Sequence, residues 1–199
     1  MNINSGNLEI TEGKIISQCQ EGKLENFTQL YDGYVRRIYS YIYRRTFHKQ
    51  TAEDLAGQVF LKALERIRSF DSSRGNFSSW LFSIARNAVI DYSRTNHGIT
   101  DIFQIPEPAS SGSVETEISV RTQLEKVQQY LSKIDPEQRE IVVMRVWDGL
   151  SYKEIAEVLG KTESLCKMSF SRTITKLRKH IPLSVLLVWL LNSNMSFRL

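Results

Sequence analysis

Cysteine and proline are scarce in this sequence: two cysteines, Cys19 and Cys166, and four prolines among 199 residues. Two distant thiols in no ligand spacing exclude a disulfide framework and a cysteine-based zinc site, and they point to a reducing, cytoplasmic setting. Long hydrophobic runs are missing as well. The longest, Val185 to Leu191, is seven residues, against the roughly 20 that a membrane-spanning helix needs. The start, MNINSGNLEI, has no basic stretch leading into an apolar one, so no secretory leader is expected. His48, His97 and His180 are scattered, no nucleophile lies near a base, and no glycine-rich phosphate loop occurs. These absences argue against an enzyme, and neither a cofactor nor a metal is expected.

What is present is a globular composition, 41% apolar and 24% charged, in a chain long enough for one or two domains at roughly 150 residues each. The net charge of +4 hides strong local contrast. Residues 34–97 carry +6 and residues 161–180 carry +5, whereas 1–33 carry −3 and 98–120 carry −4. The segment GITDIFQIPEPASSGSVETEISV holds no Lys or Arg, two of the prolines and a Ser/Gly cluster, which marks a linker between two domains.

Both flanking halves read as helical. From Glu25 to Arg45, Phe27, Leu30, Tyr31, Tyr34, Ile38 and Ile42 recur at spacings of three and four, predicting an amphipathic helix with a core-facing stripe; Arg36, Arg37, Arg44 and Arg45 occupy much of the rest. Thr51 reads as the N-cap of a helix running through Arg68. Its Ala56, Phe60, Ala63 and Ile67 form one face, and Asp54, Gln58, Leu61 and Glu65 a second, polar face with one exposed Leu. A turn-rich loop, Ser69 to Asn76, precedes a helix from Phe77 to Arg94 on which Asn87, Asp91 and Arg94 share a side. Aromatics beside Arg suit single-stranded DNA, whose bases offer π-faces and whose backbone offers charge.

The second half is sharper. A helix is expected from Arg121 to Ile134, and Asp135 with Pro136 opens another. Ser151 and Glu154 form a capping box, Ile155, Ala156 and Leu159 supply a buried side, and Gly160 ends that short helix. Thr162 then starts a longer helix carrying Lys167, Arg172, Lys176, Arg178 and Lys179. A short helix, a Gly turn and a basic second helix make a helix-turn-helix, whose second helix enters the DNA major groove.

Taken in order, FTQLYDGYVRRIYSYIYRR, AEDLAGQVFLKAL, FDSSRGNFSSWLFSIARNAVIDYSR and IDPEQREIVVMRVWDGLSYKEIAEVLG resemble stretches of a sigma-70-family initiation factor of the extracytoplasmic-function (ECF) group. The resemblance implies an all-α fold of two small helical domains: an extension 1–23, a region 2 domain 24–97, a linker 98–120, a region 4 domain 121–181 and a hydrophobic tail 182–199. It further implies core RNA polymerase, promoter DNA and an anti-sigma factor as partners, with catalysis and magnesium left to the polymerase. Asp54, Gln58, Leu61 and Glu65 would dock on the polymerase. Ser72, Ser73, Arg74 and Asn76 would capture a flipped base, with Phe77, Trp80, Arg86, Asn87 and Arg94 beside the −10 strand. Lys161, Ser164, Lys167, Met168, Arg172 and Lys176 would face the −35 element. Asp91 is expected to orient Arg94 or Asn87, since a carboxylate near phosphates is repelled.

The sequence departs from the family in its recognition helix, where Cys166 stands in place of a usual Val, Met168-Ser169 in place of Ser-Arg, and Thr173-Ile174-Thr175 in place of Ala and basic residues, predicting weak or unusual −35 contacts. The tail IPLSVLLVWLLNSNMSFRL lies outside the family pattern and is expected to pack as an extra helix, with a partner surface as the second possibility. A helix-turn-helix regulator acting without polymerase is the alternative, and it leaves the Asp54/Gln58 face without a purpose.

Overall fold

A computed structural model describes residues 5–95, 129 and 133–180. Among these are seven α-helices, two short 3-10 turns and no strand. The helices are α1 (Ser5–Gln20), α2 (Phe27–Thr46), α3 (Lys49–Arg66), α4 (Phe77–Thr95), α5 (Pro136–Val146), α6 (Tyr152–Leu159) and α7 (Glu163–His180). The expected linker, nearly all of the helix from Arg121 and the tail from Pro182 lie outside the described residues. Contacts divide the chain into two units, residues 1–95 and 96–199.

In the first unit α2, α3 and α4 pack on one another and α1 lies against α2. The stripe on α2 goes inward as its spacing requires: Phe27, Leu30, Ile38 and Ile42 are buried, joined by Tyr41, whose ring meets Phe82 edge-on at 5.3 Å. Tyr31 is the exception. It stays exposed and rests an edge on Phe60 at 4.8 Å. On α3, Ala56, Phe60, Ala63 and Ile67 are all buried. Each fully buried large side chain contributes about 1.5–3 kcal/mol, so this three-helix core dominates the unit's stability.

The start of α3 differs from expectation. Its N-cap is His48, whose Nδ1 accepts from the Thr51 amide at 3.2 Å, and Thr51 already lies inside the helix. The reason is the preceding junction: Phe47 adopts φ +50, turning α2 into α3 within two residues. That left-handed conformation is unfavourable for a side chain as large as Phe. At its other end α3 tightens into the 3-10 turn Ile67–Ser69 two residues before the expected end of the helix.

The second unit is built on local signals that the sequence displays openly. Asp135 Oδ1 accepts from the amides of Glu137 and Gln138, with Pro136 at the first helical position of α5. Ser151 and Glu154 form a complete capping box on α6. Gly160, at φ +65, closes α6 with hydrogen bonds from its own amide to Glu157 and from Lys161 to Ala156. Thr162 Oγ1 then accepts from Leu165 N at the head of α7. Ile141–Met144, Trp147, Leu150, Ile155, Cys166 and Leu177 form the core.

Candidate nucleic-acid interface

Helical periodicity fixes where the side chains of α3 point. With Ala52, Leu55, Ala56, Val59 and Phe60 buried on one side, Asp54, Gln58, Leu61 and Glu65 are all exposed on the other. Leu61 is 58% exposed, an apolar side chain with no core to join. Gln50 Nε2 donates to Asp54 Oδ1 at 3.1 Å, holding that carboxylate near the helix start.

The loop between α3 and α4 is braced from within. Asp71 Oδ1 accepts from the Ser73 amide at 2.9 Å and from its hydroxyl at 2.7 Å, which holds the Asp71 carboxyl below its ordinary value. Ser72, Ser73 and Arg74 stand exposed on this turn, with Arg74 Nε 3.7 Å from Asp71. Asn76 is exposed, but its Oδ1 accepts from Ser79 N at 2.8 Å, so its acceptor serves as the cap of α4.

Phe77 corrects the sequence expectation. It is 1% exposed and buried among Phe70, Tyr34 and Trp80, with ring centroids 5.4–5.8 Å away. A side chain enclosed on every side cannot lie along a DNA strand, so Phe77 belongs to the core. Trp80 is half-buried and stacks obliquely on Phe70 and Phe77, presenting part of its ring outward. Further along α4, Asn87 and Arg94 are exposed and Arg86 is half-buried. Asp91 Oδ1 stands 3.9 Å from Arg94 Nη1, with both side chains largely exposed.

Most of the basic residues of α2 are engaged in packing. Arg44 is buried, Arg45 lies with Cζ 3.5 Å from the centre of the Tyr41 ring, and Arg37 spans the rings of Tyr34 and Phe82. Only Arg36 of the four is exposed. On α7 the distribution is the opposite. Cys166, Thr173 and Leu177 turn into the core, and this places Ser164, Lys167, Met168, Arg172 and Lys176 on the outer side of α7, all exposed. Lys161 differs: half-buried, its Nζ lies 2.9 Å from Glu137 Oε2. Burial raises the thiols of both Cys19 and Cys166, more than the nearby carboxylates do. Among the described residues no group of acidic, His or Cys side chains has the makings of a metal site.

Gln20, bonded to the Ile67 and Phe70 carbonyls, and Glu137, paired with Lys161, also have structural consequences. Each acts across a fold contact that carries no local signature.

Comparison with known proteins settles the family. Sigma-70 region 2 matches residues 30–98, and sigma-70 region 4 matches residues 124–177. The RNA polymerase sigma factor YlaC of Bacillus subtilis is 32% identical over 171 residues, covering 79% of this chain and 92% of YlaC. The ECF RNA polymerase sigma factor SigW of Bacillus subtilis is 30% identical over 188 residues, covering 87% of this chain and 98% of SigW. The chain belongs to the ECF group of the sigma-70 family. The ECF RNA polymerase sigma factor BldN of Streptomyces coelicolor is 34% identical over 177 residues, covering 85% of this chain but only 65% of that longer relative. A solved complex of the sigma factor RpoE with the anti-sigma factor NepR from Bartonella quintana shares the fold, with TM-score 0.57 at 22% identity over 78% of this chain and 96% of that one. As an ECF sigma factor the protein binds core RNA polymerase and promoter DNA to start transcription, and it is not itself an enzyme. The cytoplasmic placement drawn from cysteine usage is corrected to a narrower statement. Among the described residues no helix is long and apolar enough to cross a membrane.

Proposed function

We propose that the two units divide promoter recognition by the state of the DNA each meets. The exposed face of α3, Asp54, Gln58, Leu61 and Glu65, docks on core polymerase; burial of Leu61 on binding supplies the apolar contact and its polar neighbours fix the register. The braced turn Ser72–Arg74, the outward part of Trp80 and the Asn87/Arg94 side of α4 hold the unpaired −10 strand. The outer side of α7, with Ser164, Lys167, Met168, Arg172 and Lys176, meets the −35 duplex, where Lys and Arg neutralise phosphates and the short polar side chains approach base edges. The domain bounds 24–97 and 121–181 belong to the same reading, and so does an anti-sigma partner, supported by the similarity to RpoE solved with NepR.

The observation that carries this division is Leu61, the most exposed large apolar side chain described, set in a polar face opposite the α3 core. Run-off transcription with core polymerase tests it. Leu61→Ala is expected to weaken holoenzyme formation while leaving the melting temperature unchanged. Full transcription by that variant would remove α3 from the polymerase contact.

A further inference from the structure

Residues 1–23 precede the stretch matched by sigma-70 region 2, and the end of α1 makes a specific contact. Gln20 Nε2 donates to the carbonyl of Ile67 at 3.1 Å and to that of Phe70 at 2.7 Å. Two carbonyl acceptors on one side-chain end require the NH2 edge of the amide there, so the orientation follows from the chemistry. Ile67 opens the 3-10 turn that closes α3 and Phe70 is its C-cap, the last residue before the Asp71–Asn76 loop. The placement of Gln20 is itself fixed. Gly22, at φ +102, ends α1 with hydrogen bonds from Gly22 N to Cys19 and from Lys23 N to Gln18, and the neighbouring Cys19 is fully buried. A side chain at position 22 would stand 3.6 Å from Arg68 in that same turn. The far end of the loop is pinned by the Asn76 cap and its middle by Asp71, so Gln20 is the tie at its base.

We infer that Gln20 is a positioning residue for promoter opening: by clamping the turn Ile67–Phe70 it holds the loop Ser72–Arg74 in the geometry that takes up an unpaired −10 base. This rests on the proposed role of that loop. Losing the clamp leaves the partly buried Phe70 carbonyl short of its Gln20 donor, while Ile67 O keeps the Phe70 amide, and frees the root of the loop, so the effect falls on capture of unpaired DNA and not on polymerase docking.

The test uses full-length protein in holoenzyme. Gln20→Met keeps length and volume without donors, Gln20→Glu replaces the donors with a carboxylate, and Gln20→Lys restores donors. On a forked promoter with a single-stranded −10 segment, Gln20→Met and Gln20→Glu are expected to bind about tenfold more weakly than wild type. Permanganate reactivity of the opened duplex promoter should drop in parallel. Core-polymerase affinity and binding to −35 duplex should stay unchanged, and Gln20→Lys should recover most of the loss. Amide exchange at Ser72–Arg74 should quicken in Gln20→Met. Wild-type forked-promoter binding by Gln20→Met overturns the proposal, and so does an equal loss of polymerase affinity, which would mark a purely structural role. Ser72→Ala with Arg74→Ala provides the separating arm. If that pair binds the fork normally, the loop assignment falls and the Gln20 role with it; if the pair fails while Gln20 variants do not, only the Gln20 role falls.

Discussion

The two units spend their basic residues differently. In the first, Arg37 and Arg45 lie over aromatic rings and Arg44 is buried, so three of the four arginines of α2 are taken up in packing. In the second, Lys167, Arg172 and Lys176 stand in solvent along one side of α7. The contrast matches what each form of DNA offers. A closed duplex presents a dense array of phosphates, and exposed cations respond to it with a steep salt dependence. An unpaired strand presents bases, which are taken up by shape, stacking and hydrogen bonds on a rigid platform. Charge totals per segment are therefore a poor guide to where DNA lies.

That contrast can be broken most decisively at Phe77. Phe77→Ala should destabilise the first unit by about 3–5 kcal/mol, seen as a lower urea midpoint. A DNA-facing ring would instead leave stability intact and lower −10 affinity alone. Next in size, Lys167→Ala and Arg172→Ala should each flatten the slope of log affinity against log salt on −35 duplex by about 0.9. Lys161→Ala should flatten it less, because Lys161 is held by Glu137 at 2.9 Å; an equal change would show that this ion pair opens on DNA. Ser151→Ala removes half of the α6 capping box and should lower the stability of the second unit by about 1 kcal/mol, read by thermal unfolding. The smallest effect concerns Asp71. Its carboxyl is held low by the Ser73 hydroxyl and amide, so the bracing is complete above the unfolded value of about 3.9 and is lost as pH falls through the lower folded value. A Ser73 amide signal that moves only below about pH 4 would agree, and one titrating near neutrality would not.

Much of this fold was legible because its signals are local. The Asp135-Pro136 start, the Ser151–Glu154 box and the Gly160 stop each depend on a few adjacent residues, and each forms as the chemistry requires. The polar face of α3 followed from spacing alone. What was not legible depends on distant partners. Phe77 turns inward because Tyr34 and Phe70 are there to meet it, and Gln20 finds its acceptors 47 and 50 residues further along the chain. His48 was passed over as a cap because a histidine ring is an uncommon acceptor at that position, and Phe47 gave no warning of a positive φ.

The two buried thiols have a practical consequence. Each unit carries one cysteine, Cys19 in the first and Cys166 in the second, both fully buried and both held protonated by burial. A thiol reagent therefore reaches neither until its own unit opens. The protein carries one chemical clock per unit, and the labelling rate of each cysteine in the holoenzyme times the opening of the first and second units separately, without any engineered probe.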